Sequence, residues 1–305
     1  MTRGRVRRAK AARAVSAALG IAAAVAALGV FARQAPAPAA GPIVRLSYRA
    51  LQPGEPILVS LESDGTVRSG SVAFMGRRTD LAPGPQKLTF LAFVGIDVQA
   101  KPGPAVLAVK IVKSGGPVET VRKDLLIVEK AFPSTKLTLA PRYVTPPAAA
   151  QARIKREAEI VALAMSVITP EWLGDGPFIA PNGASSWSNF GQRRLNNNVV
   201  QSLHTGLDLR VPFGGPIRAA NAGRVVLAAD LYMGGKTVIL DHGLGVFSSY
   251  GHMSKLLVKR GDTVKKGQIV GLCGSTGRST GPHLHWSFKV LDARVDPEAM
   301  LRLPL

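Results

Sequence analysis

Five histidines serve the whole 305-residue chain, and all lie in its last third. Four of them fall into a spaced pattern that a fold must bring together. His204 and Asp208 stand four apart in His-Thr-Gly-Leu-Asp, His283 and His285 stand two apart in His-Leu-His, and His252 follows Tyr250-Gly251. Both paired spacings are even. On an extended segment, where side chains alternate between faces, each pair points one way. Imidazoles with a carboxylate are a good donor set for Zn²⁺, and three protein ligands leave a fourth position open, as in catalytic zinc sites. Five groups are present where three ligands suffice, so some are free for proton transfer.

The intervening sequence favours strands over helices. Gly223–Ala228, Thr237–Asp241, Val246–Tyr250, Gln268–Cys273 and His283–Val290 read as short β segments between glycine-rich turns. Residues 43–130 carry a second set, punctuated by Pro53-Gly54-Glu55-Pro56, Ser63-Asp64-Gly65 and Pro83-Gly84-Pro85. The clearest hairpin joins Ala105–Lys113 to Val118–Lys130 through Ser114-Gly115-Gly116-Pro117. Strands at this spacing predict a β-sandwich. Between the two sets, Ile154, Ala158, Val161 and Ala164 recur at helical spacing and predict a connecting helix over Ala148–Val167, stopped by Thr169-Pro170.

Two decoys fail on their neighbours. Gly235-Lys236-Thr237 resembles the end of a phosphate loop, but Asp230 holds the place of its first glycine and a strand follows it. Lys265-Lys266 sits in a turn like that of biotinyl or lipoyl domains, without the recognition word around the lysine. His242 reads as a turn histidine. Cys273, the single cysteine, lies in an apolar strand-like run, which excludes an intrachain disulfide and favours a buried thiol over a nucleophile.

In order and context, the histidine words resemble the lysostaphin-type (LytM-like) zinc metallopeptidases, which cut peptide cross-bridges in bacterial cell walls. The resemblance runs from about Gly176 to Leu303. It includes Phe190-Gly191-Gln192-Arg193-Arg194, Val264-Lys265-Lys266-Gly267-Gln268 and the run Gly274 to His283. It implies zinc ligands His204, Asp208 and His285, and catalytic histidines His252 and His283. In that scheme His283 relays the proton from water to the leaving amine and His252 stabilises the oxyanion, two roles the sequence leaves exchangeable. Arg193 and Arg194 are candidates for a substrate carboxylate.

The implied fold is mainly β: an antiparallel peptidase domain over 171–305, preceded by an Ig-like sandwich over 43–130 and a linker with connecting helix over 131–170. The implied function is hydrolysis of peptidoglycan cross-links, with a DD-endopeptidase favoured by the N-terminal β domain. The alternative is a catalytically weak wall-binding regulator of other hydrolases, a role in which His252 and His283 are dispensable. A partner protein that regulates access to the groove is compatible with either reading.

Residues 1–40 read as an export signal or membrane anchor with its linker. Seven basic residues and no acid occur there, and Ala14–Ala32 is a continuous stretch of 19 apolar or small residues with Ser16 its only polar side chain. The basic side stays cytoplasmic, so the expected location of the rest is the envelope, in the periplasm, whether the segment is cleaved or holds the protein to the inner membrane. The chain carries +20 overall, which leaves 20 − 7 = +13 after residue 40. Such a surface collects on polyanions. With aromatics at 6% and no basic-aromatic interleaving, no nucleic-acid partner is expected, and the anionic wall or membrane is.

Overall fold

In the computed structural model, residues 41–182, 189–197 and 200–305 are described; the expected export or anchor segment, residues 1–40, lies outside them. Among the described residues no helix is long and apolar enough to cross a membrane.

Two four-stranded antiparallel sheets fill the N-terminal part. One runs in the order Ile43–Ser47, Pro56–Glu62, Thr89–Gly95, Ala82–Pro83; the other runs Arg77–Asp80, Val67–Phe74, Gly103–Lys113, Glu119–Ile127. Alternation along the strands turns Val59, Leu61, Val72, Phe74, Val109 and Ile111 into one core between them. The hairpin expected at Ser114–Pro117 forms, with Gly115 at φ +68°, where a β-carbon is disfavoured.

The C-terminal part is built on a seven-stranded sheet. Its order is Leu207–Leu209, Leu284–Val290, Val246–Met253, Gly235–Asp241, Gly223–Leu231, Thr263–Val264, with Ala293–Val295 also paired to Leu284–Val290. Gly235-Lys236-Thr237 leads the second strand of a hairpin, as a turn reading requires. His242 is fully buried in a polar ladder, with Nδ1 at 2.7 Å from the Ala222 carbonyl and Nε2 at 2.7 Å from Ser248 Oγ. Burial pushes its pKa down to about 4. Cys273 is buried as well.

The connector differs from a plain linker. Ser134–Leu137 is a strand paired in parallel with Arg193–Asn196, which pairs in turn with Val200–Leu203. Asn197 clamps the next turn, its side-chain oxygen accepting from the Leu139 amide at 2.8 Å and its amide donating to the Leu139 carbonyl at 2.9 Å. The helix spans Ala148–Ala164, three residues shorter than its pattern suggested, because the chain turns out at Met165 before Thr169-Pro170 can act. Val161, Ala164 and Met165 pack on Leu227, Ile239 and Phe247, while Leu163 and Val167 face solvent.

The sandwich and the large sheet share apolar contacts. Leu58, Leu91 and Phe93 join the core of the C-terminal part, and the rings of Phe93 and Trp172 lie 4.9 Å apart. A β-carbon on Gly95 would stand 2.7 Å from Ala293 Cβ, so only glycine permits the two backbones to approach there. Buried charges border this contact. Glu55 is 1% exposed and Asp296 is also buried; Arg49 bonds both, at 2.7 Å to Asp296, and Lys130 Nζ lies 3.4 Å from Glu55. Removing one partner of such a set strands the others in a low-dielectric site. Glu55→Ala is therefore expected to lower the unfolding free energy of residues 41–305 by about 3 kcal/mol, read by urea denaturation; a change under about 0.5 kcal/mol would refute the burial argument. Asp97 and Arg294 make a second bridge, at 2.6 Å. Burial raises the Asp97 pKa, but hydrogen bonds from Arg294 outweigh it and hold the carboxyl below its ordinary value. Its contribution is present above the ordinary carboxylate pKa and is lost as the pH falls through the lowered one.

Candidate metal centre

His204, Asp208 and His285 bring one donor atom each to a single point. His204 Nε2 lies 2.9 Å from Asp208 Oδ1 and 3.1 Å from His285 Nδ1, and the third side, His285 Nδ1 to Asp208 Oδ1, is 3.0 Å. The convergence does not come from alternation along one strand, as the even spacing of His204 and Asp208 suggested. His204 sits after the strand that ends at Leu203, and the chain turns at Thr205-Gly206 before Leu207–Leu209 begins. Cross-strand pairing does the work instead, because Asp208 is directly opposite His285. Gly206 is required at the turn: a β-carbon there would stand 2.5 Å from the Trp286 carbonyl oxygen and 2.8 Å from His285 Cε1.

Asn189, absent from the sequence reading, orients two of the three groups. Its carbonyl lies 2.9 Å from His204 Nδ1, which donates to it and so leaves Nε2 as a lone pair facing the carboxylate and the second ring. Its side-chain oxygen accepts from the Asp208 amide at 3.1 Å, and its side-chain nitrogen donates to Asp208 Oδ2 at 3.3 Å. Arg194 also donates to Oδ2. One carboxylate oxygen is thus held from outside while the other turns inward. No short-spaced signal marks Asn189 in the sequence; its register beside Phe190-Gly191 is the only cue.

The fit to a metal follows from the donors. Lone pairs on His204 Nε2 and an ionised Asp208 at 2.9 Å repel unless a cation lies between them. Tetrahedral zinc with bonds of about 2.0–2.2 Å separates its ligand atoms by about 3.3–3.6 Å, a few tenths of an ångström more than the three edges here, so a small outward shift of the side chains admits the ion.

Two more imidazoles border the group. His252 occupies an irregular stretch of the strand Val246–Met253, with φ at +63°, a backbone state that costs free energy outside glycine. Its amide donates to the Gly234 carbonyl at 2.7 Å, and its Nδ1 lies 2.8 Å from the Thr276 carbonyl. Burial first, then His285 and His283, push its pKa down to about 3. His283 lies at the entry to Leu284–Val290, its Nδ1 2.8 Å from the Gly281 carbonyl and its Nε2 3.7 Å from Asp208 Oδ1. The two rings are 4.7 Å apart. Both therefore donate through Nδ1 and present a bare Nε2.

The five side chains line one cavity of about 260 Å³, with Leu137, Leu139, Arg194 and Arg278 in its walls. The two arginines of the sequence reading part company: alternation on Arg193–Asn196 puts Arg194 on Asp208, whereas Arg193 lines a separate hollow with Phe132 and Lys130.

Comparison with known proteins adds a family. Residues 202–297 match the model described as peptidase family M23. A putative M23 peptidase structure from Pseudomonas aeruginosa aligns over 83% of this chain and 95% of its own, with 30% identity and a TM-score of 0.60. The peptidoglycan DD-endopeptidase ShyA of Vibrio cholerae is 41% identical over 110 residues, 35% of this chain and 26% of that protein. The DD-carboxypeptidase/endopeptidase Mpg of Neisseria meningitidis is 39% identical over 110 residues, 36% and 25% of the two lengths. The chain spans about a quarter of the length of these curated relatives.

Proposed function

The chain belongs to peptidase family M23, and on that premise we propose that it is an exported, zinc-dependent endopeptidase that hydrolyses peptide cross-links of bacterial peptidoglycan, with the D-alanyl amide of a diamino acid as the bond cut. The observation that carries this reading is the meeting of three electron-pair donors and two further bare imidazole nitrogens in one cavity. His204, Asp208 and His285 would hold the ion. Bound zinc supplies Lewis acidity, lowering the pKa of water toward ~7 and polarising the carbonyl.

The remaining work falls to the chain's own residues. With Nδ1–H committed to the Thr276 carbonyl, His252 can only accept at Nε2 while neutral. It therefore suits the base that takes the proton of the attacking water. His283, with its Nε2 3.7 Å from Asp208 Oδ1 at the other side of the cavity, is placed for the acid that protonates the leaving amine. This divides between two rings the relay that the sequence expectation gave to His283 alone, and moves His252 from the oxyanion to the base. A proton passing between the adjacent rings resets the pair.

The test is digestion of purified sacculi with mass spectrometry of the released muropeptides. Cross-linked dimers should be lost and their monomers appear; chelation should stop this and added zinc restore it. Unchanged dimers with zinc-loaded protein would overturn the reading. The basic surface of residues 41–305 should also bring them down with sacculi at low salt and release them as the Debye length shortens from ~30 Å at 0.01 M to ~8 Å at 0.15 M. Binding indifferent to salt would make the charge a matter of solubility alone. The N-terminal segment fits delivery to the periplasm, cleaved or anchored; a fusion reporter after residue 41 that is active in the cytosol would refute this.

A further inference from the structure

Arg278 is charged, partly buried and without an anion. Among the described residues no acid and no carbonyl oxygen accepts from its guanidinium; burial and a second cation, Arg194, lower its pKa. Arg194 has Asp208 as its partner. Among the described residues Asp208 is the only acid lining the metal cavity, and it already faces His204, His285 and Arg194. The arginine lines this cavity and also an adjoining cleft with Tyr143, Val144, Pro146, Ile154 and Met233. It thus stands where the metal cavity meets that cleft.

Its position is fixed by backbone. The Arg278 amide donates to the Met233 carbonyl at 2.9 Å, and Thr276 Oγ1 accepts from the Lys236 amide and donates to the Met253 carbonyl. Gly277, at φ +71°, lies so close to Gly235 and Met233 that a β-carbon there would clash with both backbones. The side chain contributes nothing to this clamp. A guanidinium held half out of water, beside another cation, costs free energy in the free protein that an incoming carboxylate recovers by a two-pronged hydrogen bond.

We propose that Arg278 is the residue that selects the substrate, by receiving the free carboxylate on the carbon that bears the scissile amide nitrogen. This rests on the endopeptidase reading above and names the class of cross-link it acts on: one whose amine comes from a diamino dicarboxylic acid, such as diaminopimelate. A lysine-type amine has no carboxylate at that carbon.

Two measurements on the zinc-loaded full chain decide it. The first is calorimetric binding of the amine-side product, the diaminopimelate stem monomer, as free acid and as the carboxamide at that carbon. The second is kcat/KM for the corresponding D-alanyl cross-linked dimers. The wild type should prefer the free acid by about ten- to a hundredfold, the worth of a hydrogen bond to a charged group. R278Q should lose that preference and R278K keep part of it, with carboxamide binding unchanged in both. A wild type indifferent to amidation, or an R278Q that still discriminates, overturns the assignment. The two readings fail separately. Discrimination in binding with no cleavage of either dimer supports Arg278 and sinks the endopeptidase reading; cleavage without discrimination does the reverse.

Discussion

Alanine at His204, Asp208 or His285 is expected to take residues 41–305 from about one tightly held zinc per chain to almost none, and to bring turnover to background. Three donors within 3.1 Å of one another make the site, and a two-ligand remnant cannot hold the tetrahedral ion against solvent. The loss should be specific to metal. His204 and Asp208 lie outside the apolar core, and alanine at either relieves the repulsion among unshielded lone pairs. The zinc-free variants should therefore unfold near the metal-free parent's midpoint. Asn189→Ala tests the outer layer: it frees His204 to rotate and removes two contacts to Asp208, and should weaken zinc affinity by about 10- to 100-fold without abolishing it. Metal analysis by mass spectrometry reads all four. Full occupancy in the three ligand variants would sink the assignment.

His252→Ala and His283→Ala should keep zinc and still lose about 10²- to 10⁴-fold in turnover on sacculi. Neither ring belongs to the three-donor group, yet both point a bare Nε2 into the same cavity. If the histidines serve one proton circuit as proposed, the two losses should not multiply, and the double variant should sit close to the worse single one. A parental rate in either single variant would remove that histidine from the chemistry. Stability adds a second readout. His252 occupies a left-handed backbone position, so His252→Gly should relieve strain and unfold later than His252→Ala.

Much of this was legible from residue order. Turn residues at Ser114–Pro117 and the β-branched runs beside them predicted the hairpin of Gly103–Lys113 with Glu119–Ile127, because turn chemistry and alternation are local properties. The strand carrying His285 was readable for the same reason, whereas the one read as Val246–Tyr250 runs on to Met253 and takes in His252. The helix was found but overextended, since its stripe continues to Val167 and nothing local shows that Met165 leaves the helix. The strand Ser134–Leu137 was missed entirely. Its partner, Arg193–Asn196, lies almost sixty residues away, and a four-residue strand between prolines and a helix has no period of its own.

The sequence by itself determined which atoms are available: two histidine pairs' worth of imidazole, one carboxylate and a single thiol. Side-chain chemistry is intrinsic to the residue, so the donor set and its suitability for zinc needed no fold. Only the tertiary structure decided how those atoms meet. Asp208 reaches His285 through pairing across two strands, and Asn189 and Arg194 hold the carboxylate's other oxygen. Carbonyls of Thr276 and Gly281 set which nitrogen the rings of His252 and His283 leave bare. Arg193 and Arg194, neighbours in the chain, end in different cavities, while Arg278 comes to stand beside Arg194. These are relations between residues tens of positions apart, fixed by register and close packing, and spacing along a chain carries no information about them.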